Sequence, residues 1–125
     1  MDIFGDLKKK IGRSASLSKV PASDIAALRE RWQGLPEDYL AFLHEVGFGN
    51  LGEIQLYSAP ASPDSVFSPP PKHLDTILLI GDDMQGHCFG FDTDSGFRLV
   101  EVGPTGTIDS SVEPDLTSLL YGYFR

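Results

Sequence analysis

The chain has 125 residues, of which 41% are hydrophobic and 10% aromatic. That is enough apolar material for one core at a common domain size, and it excludes wholesale disorder. No apolar run, Ile77–Ile80 included, approaches the roughly 20 residues of a membrane span, and a net charge of −8 disfavours phosphate backbones and anionic lipid while attracting basic partners.

The charge is uneven along the chain. Residues 1–31 carry seven Lys/Arg against four Asp/Glu, a net of +3. Residues 32–125 carry three (Lys72, Arg98, Arg125) against fourteen, a net of −11. Two solvated faces of ordinary sign would account for this, and so would a surface for a partner. The opening MDIFGDLKKKIG mixes both signs and has no apolar h-region, so it is not read as a secretory signal. Cys88 is the single cysteine, which leaves no internal disulfide and suits a reducing cytoplasm.

In chain order, Ile3, Phe4, Leu7 and Ile11 fall on one stripe at helical spacing, giving a short basic helical segment within residues 1–19. A second helix starts at Ala22 or Ser23, lines one face with Ile25, Leu28 and Trp32, and has Gly34 as its C-terminal cap. The third helix takes Pro36 in its first turn, Glu37 and Asp38 at its positive end, and Tyr39, Phe42, Leu43 and Val46 as its apolar stripe. Gly47 ends it. EIQLYS alternates Ile54 and Leu56 against Gln55 and Tyr57 as a half-buried strand does. APASPDSVFSPPP holds five of the nine prolines and reads as a surface loop. TILLI, HCFGFD and FRLVEVG are three strands with short connections, hence an antiparallel meander, and TIDS is a candidate short edge strand. Ser111 or Val112 leads into a last helix with Leu116, Leu119, Leu120 and Tyr123 on one face. The expected fold class is α+β, a single domain over residues 1–125. One small antiparallel sheet has helices against one face, and Trp32, Tyr39, Phe42, Phe89 and Leu119 share its core.

Motifs of chemistry are weak. GFGNLG at residues 47–52 has the letters of a dinucleotide fingerprint. A helix precedes it and a strand follows, the reverse of what places a helix N-terminus on a pyrophosphate. Asp92-Thr93-Asp94-Ser95-Gly96 opens like a calcium loop but has Phe97 where that loop needs glycine and Gly103 where it needs glutamate. An Asp-rich turn is the expectation, with a weak surface cation site as the residual alternative. His87 and Cys88 are adjacent in a strand and point to opposite faces, and no second cysteine completes a metal set. Cys88 is read as a small buried hydrophobe. Turn carboxylates keep ordinary pKa values, whereas general-acid work needs a desolvated one. The residues favour a non-enzymatic interaction domain with no cofactor and no metal.

The order of elements, with two segments in particular, resembles a known family. LPEDYLAFLHEVGFGNLGEIQLYS is similar to the helix-to-strand signature of the SUKH (Smi/Knr-like) superfamily, L-P-x-x-Y/F on a helix followed by a glycine-rich turn. ILLIGDDMQGHCFGFDTDSG resembles its second signature, a hydrophobic strand, G-D-x-x-G, and a strand ending in Asp. The helix ending at Trp32 and the final DLTSLLYGYF fit the layout, so the resemblance covers about residues 20–125. The family often has asparagine directly at the end of the third helix, where this chain has Gly47-Phe48-Gly49 before Asn50. The resemblance implies a bent antiparallel sheet packed by helices. It also implies the role of most bacterial members, cytoplasmic immunity proteins that bind and neutralise a cognate toxin, often a nuclease or deaminase. The alternative is a regulatory or scaffold domain with a non-toxin partner, as in fungal relatives that act in cell-wall regulation. It carries no catalytic residues over, and Gly81, Asp82, Gly86 and Asp92, which match its pattern, are read as structural.

A basic toxin domain would present a cationic cleft, and the acidic turns are the expected interface. Asp82, Asp83, Asp92 and Asp94, with Glu53 near the sheet rim, form the densest negative grouping, and Phe48 and Tyr57 are candidate apolar anchors. The alternative is that these carboxylates only keep the protein soluble. Exposed positions are expected for them, so that Asp82→Asn with Asp83→Asn slows association and leaves stability unchanged.

Overall fold

The computed structural model describes residues 9, 16–51, 54–63, 72–110 and 115–123. Apart from Lys9, the N-terminal helix expected over residues 3–11 lies outside them, as does the start expected for the last helix at Ser111 or Val112.

Three helices are built around their apolar stripes. The first, α1 (Ala22–Arg31), starts on Pro21, whose carbonyl accepts from Asp24 and Ile25 N–H at 3.0 Å each. Its C-cap is Trp32, not Gly34. Gly34 lies two residues further on, at φ +111, where an added Cβ would meet the Phe97 ring at 2.8 Å, so close packing is what that glycine serves. Next, α2 (Glu37–Glu45) has Pro36 as its N-cap, one position earlier than expected, with no side-chain cap bond. Packing holds it instead. Tyr39, Leu40, Phe42 and Leu43 are all buried, each contributing about 1.5–3 kcal/mol. The last, α3 (Leu116–Tyr123), is capped by Asp115, whose carboxylate accepts from Ser118 N–H at 2.8 Å. It is tied to α2 by Asp38, whose Oδ2 accepts from Thr117 N–H at 3.1 Å and Thr117 Oγ1 at 3.0 Å.

The strands are β1 (Ser16–Ser18), β2 (Phe48–Asn50), β3 (Gln55–Ala61), β4 (Ile77–Asp82), β5 (Cys88–Asp92), β6 (Arg98–Val102) and β7 (Ile108–Ser110). They form one sheet in the order β1-β2-β3-β4-β5-β6-β7, every pairing antiparallel. The domain is thus α+β, with a longer meander than the three or four strands expected. β1 and β2 are three residues each and show no hydrophobic alternation. Their pairing with each other and with β3 makes them strands. β3 also runs on through Ala59, Pro60 and Ala61, which correct the surface-loop reading of that stretch. Pro60 is tolerated because the register between β3 and β4 shifts between Leu56 and Ala61, so its missing N–H falls in an irregular part of the ladder.

The sheet has a core on each face. The helix side joins Tyr39, Phe42, Leu43, Leu56, Ile80, Phe89, Phe91, Leu99, Leu119 and Leu120, with Trp32 partly buried against them. That unites the five residues expected to share a core. Tyr39 stands edge-on to Phe91, ring centroids 5.4 Å apart. Its buried hydroxyl has no hydrogen-bond partner among the described residues. Across the sheet, Leu74, Ile77, Leu79, Cys88, Val100 and Val102 form a second buried cluster. Hence β4 and β5 read as nearly continuous buried runs rather than half-buried alternation. Leu74 arrives on a 3-10 turn at Lys72–Leu74, pinned where His73 Nε2 lies 2.6 Å from the Gly106 carbonyl oxygen. A bulge in β4 sets Ile80 and Gly81 together opposite Phe89 and brings Asp82 level with Cys88.

Candidate functional site

The meander puts the turns at two ends of the sheet. The β2–β3, β4–β5 and β6–β7 turns share one end, and the β5–β6 turn lies at the other. Asp82 and Asp83 therefore sit at one end of the β4–β5 hairpin and Asp92 and Asp94 at the opposite end. Four strand steps of about 3.3 Å put them about 13 Å apart along β5. The single acidic grouping expected from sequence is two separate ones, because the sequence places both near β5 without saying that a whole strand intervenes.

Asp82 is half-buried, not exposed. Its carboxylate accepts from the Tyr57 hydroxyl at 2.5 Å, from Gln55 Nε2 at 3.0 and 3.1 Å, and from Met84 N–H at 2.8 Å. It joins β3 to β4 and fixes the start of the next turn, so its replacement by asparagine is expected to destabilise the fold, where the exposed position expected from sequence would have left stability unchanged. Asp83 is also half-buried. Its Oδ1 accepts from Gln85 N–H at 2.8 Å and His87 N–H at 3.1 Å, its own N–H donates to the His87 carbonyl, and its Oδ2 lies 3.5 Å from His87 Nδ1. Asp92 accepts from Thr76 Oγ1 and Asp94 N–H, which closes the β5–β6 turn, and Asp94 is exposed within it. Glu53 lies outside the described residues.

Of the two aromatic candidates, Tyr57 is half-buried with its hydroxyl committed to Asp82, and it packs against the second core. Burial first, and then the Asp82 carboxylate, pushes its pKa above the ordinary tyrosine value. Phe48 packs against the helix-side core. With Val20, Pro21, Ala27, Leu28 and Ala59 it lines an open, mainly apolar groove of about 480 Å³ between α1 and the sheet. The structure thus separates Phe48 from Tyr57 by function as well as place: one lines a groove and the other orders a carboxylate.

Cys88 is buried beside these groups, and its thiol pKa is pushed up to about 11 by burial first, then by the charges of Asp82 and Asp83. The folded state's preference for the neutral thiol is fully present below the ordinary value of 9.0 and is lost as pH rises through about 11. Two pKa units leave about 100-fold less thiolate at pH 8, before access is counted. Native protein is expected to react with iodoacetamide at least about 100-fold more slowly than the urea-unfolded chain. Equal rates in the two states would remove Cys88 from the core. No group of three or more His, Cys, Asp or Glu side chains among the described residues is placed to hold a metal ion.

Sequence reasoning missed Gln55, a second anchor of Asp82, and it missed Met84. Met84 is the exposed large hydrophobic side chain of the described residues, 45% accessible, with φ +62. The available signal was an apolar residue amid D-D-M-Q-G, whose two aspartates and glycine are turn formers. No helix among the described residues is long and apolar enough to cross a membrane. No family model matches this chain, and neither the curated proteins nor the solved structures hold a detectable match.

Proposed function

We propose that this protein is a cytoplasmic immunity protein, a non-catalytic binder that neutralises a cognate basic toxin domain by forming a stoichiometric complex. The observation that carries the proposal is the charge of the folded body, fourteen Asp/Glu against three Lys/Arg over residues 32–125. Such a body complements a cationic, phosphate-binding cleft and speeds encounter with it. The resemblance of residues 20–125 to SUKH immunity proteins supports the same role. The carboxylates of Asp82, Asp83 and Asp92 are engaged as turn and strand ties, which favours recognition by a shaped surface over acid–base chemistry.

The test is a titration with the C-terminal effector domain of the toxin encoded beside this gene. The expected result is a 1:1 complex that abolishes the toxin's activity, with an association rate that falls as ionic strength rises from 50 to 300 mM. Adjacent genes that encode no such domain, or a toxin domain that stays active with the protein in excess, would overturn the proposal in favour of a scaffold role.

A further inference from the structure

Among the described residues, two non-glycines adopt the left-handed backbone conformation, Phe97 at φ +60 and Met84 at φ +62. L side chains resist that region and glycine does not. For Phe97 the fold explains the choice, since its ring packs against Gly34 and the helix-side core. For Met84 burial explains nothing. Its side chain stands 45% exposed, and its one described polar contact is Asn50 Nδ2 at 3.7 Å from the sulfur. Glycine would serve this turn with less strain, as Gly86 does two residues later at φ +101.

The turn is also held firmly. Asp82 and Asp83 bind the N–H groups of Met84, Gln85 and His87, and Asp82 is itself anchored to Gln55 and Tyr57 on β3. A strained, outward-facing methionine fixed by surrounding bonds is better explained by what it meets outside the protein than by what it does inside. Its surroundings define that partner. On one side is Asn50 at the end of β2. On the other the β6–β7 turn closes in, since a Cβ on Gly86 would lie 3.2 Å from Pro104 Cγ. Residues 83–87 and 103–107, which make the β4–β5 and β6–β7 turns at this end, contain no Lys or Arg, and Asp82 and Asp83 stand at the first of them.

We infer that the sheet end carrying the β4–β5 and β6–β7 turns, beside Asn50 at the end of β2, is the docking surface, with Met84 entering an apolar recess in a cationic protein partner. The inference rests on the immunity-protein reading and names the face that reading leaves open. Methionine suits such a contact because its thioether is polarizable and its side chain adapts to the recess, and it is enriched at protein interfaces. Preordering by Asp82 and Asp83 lowers the entropy lost on binding.

The experiment titrates the same toxin effector domain with the wild-type protein, Met84→Gly and Ser95→Ala, with a melting curve for each. Ser95 is exposed in the β5–β6 turn at the opposite end. Met84→Gly is expected to bind at least about 10-fold more weakly while melting at the same or a higher temperature, because glycine relieves the backbone. Ser95→Ala is expected to stay within about 2-fold of wild type. Unchanged affinity in Met84→Gly, with the wild type binding tightly, overturns this surface and leaves the immunity reading standing. A lower melting temperature with the weaker binding assigns Met84 to the fold and also overturns it. Failure of the wild type to bind removes both readings.

Discussion

Phe42→Ala is expected to cost the fold about 3–5 kcal/mol and to lower the melting temperature by more than about 10 °C. Phe42 sits at the centre of α2, is 0% accessible, and belongs to the helix-side core with Tyr39, Leu43, Phe89 and Phe91. Truncation to alanine loses the transfer free energy of the ring and leaves a cavity. α2 has little freedom to close that cavity. Its N-terminal end is tied to α3 by Asp38, which accepts from Thr117 N–H and Oγ1. At its other end the Phe42 carbonyl accepts from Val46 and Gly47 N–H, both at 2.8 Å, closing the helix into β2. With total stabilities of about 5–15 kcal/mol for natural domains, the variant approaches the unfolding threshold. Urea denaturation measures the change directly. A loss below about 1 kcal/mol would mean that Phe42 is not part of the core its placement assigns to it.

Phe42 was legible in sequence because a helical stripe needs only spacing, and Tyr39, Phe42, Leu43 and Val46 share one face of any helix. The β4-to-β6 meander was legible for a similar reason, with apolar runs separated by Gly81-Asp82-Asp83 and Asp94-Ser95-Gly96. β1 and β2 were not, since Ser16–Ser18 and Phe48–Asn50 carry no pattern of their own and exist as strands only through pairing. The candidate site was legible in residue type but not in arrangement. Asp82 and Asp92 are both turn carboxylates by sequence. Only the register shows that Asp82 ends β4, level with Cys88, while Asp92 pairs with Ile77 at the far end. The partners of Asp82 were out of reach too, because Gln55 and Tyr57 are brought to it by the β3–β4 pairing across a long connection. Met84 was hidden by convention, as an apolar letter in a turn suggests nothing until its exposure and φ are known.

Gly90→Ala is expected to destabilise the domain by at least about 3 kcal/mol, the upper end for atoms forced into a packed interior, and to lower the melting temperature by more than about 10 °C. Gly90 pairs with Leu79 in the middle of the β4–β5 ladder, on the face of the second core. A Cβ there would run into the Leu78 carbonyl oxygen and lie 3.0 Å from Leu79 Cα. The obstacle is the backbone of the neighbouring strand, so no rotamer change relieves it. β4 and β5 have to move apart, and the β4 bulge beside this position, where Ile80 and Gly81 both face Phe89, moves with them. Gly81 is under the same constraint, since its own Cβ would meet the Gln55 carbonyl oxygen and the Phe89 ring. The disturbance therefore spreads to β3 and to the Asp82 ties at the strand's end. Gly103→Ala is the control, because the nearest atom to a Cβ at that turn position is Thr107 O at 3.9 Å, and its effect is expected within about 0.5 kcal/mol. Thermal melts of the two variants decide the matter. A Gly90→Ala protein that melts within about 2 °C of wild type would show that β4 and β5 do not approach as closely as this register requires.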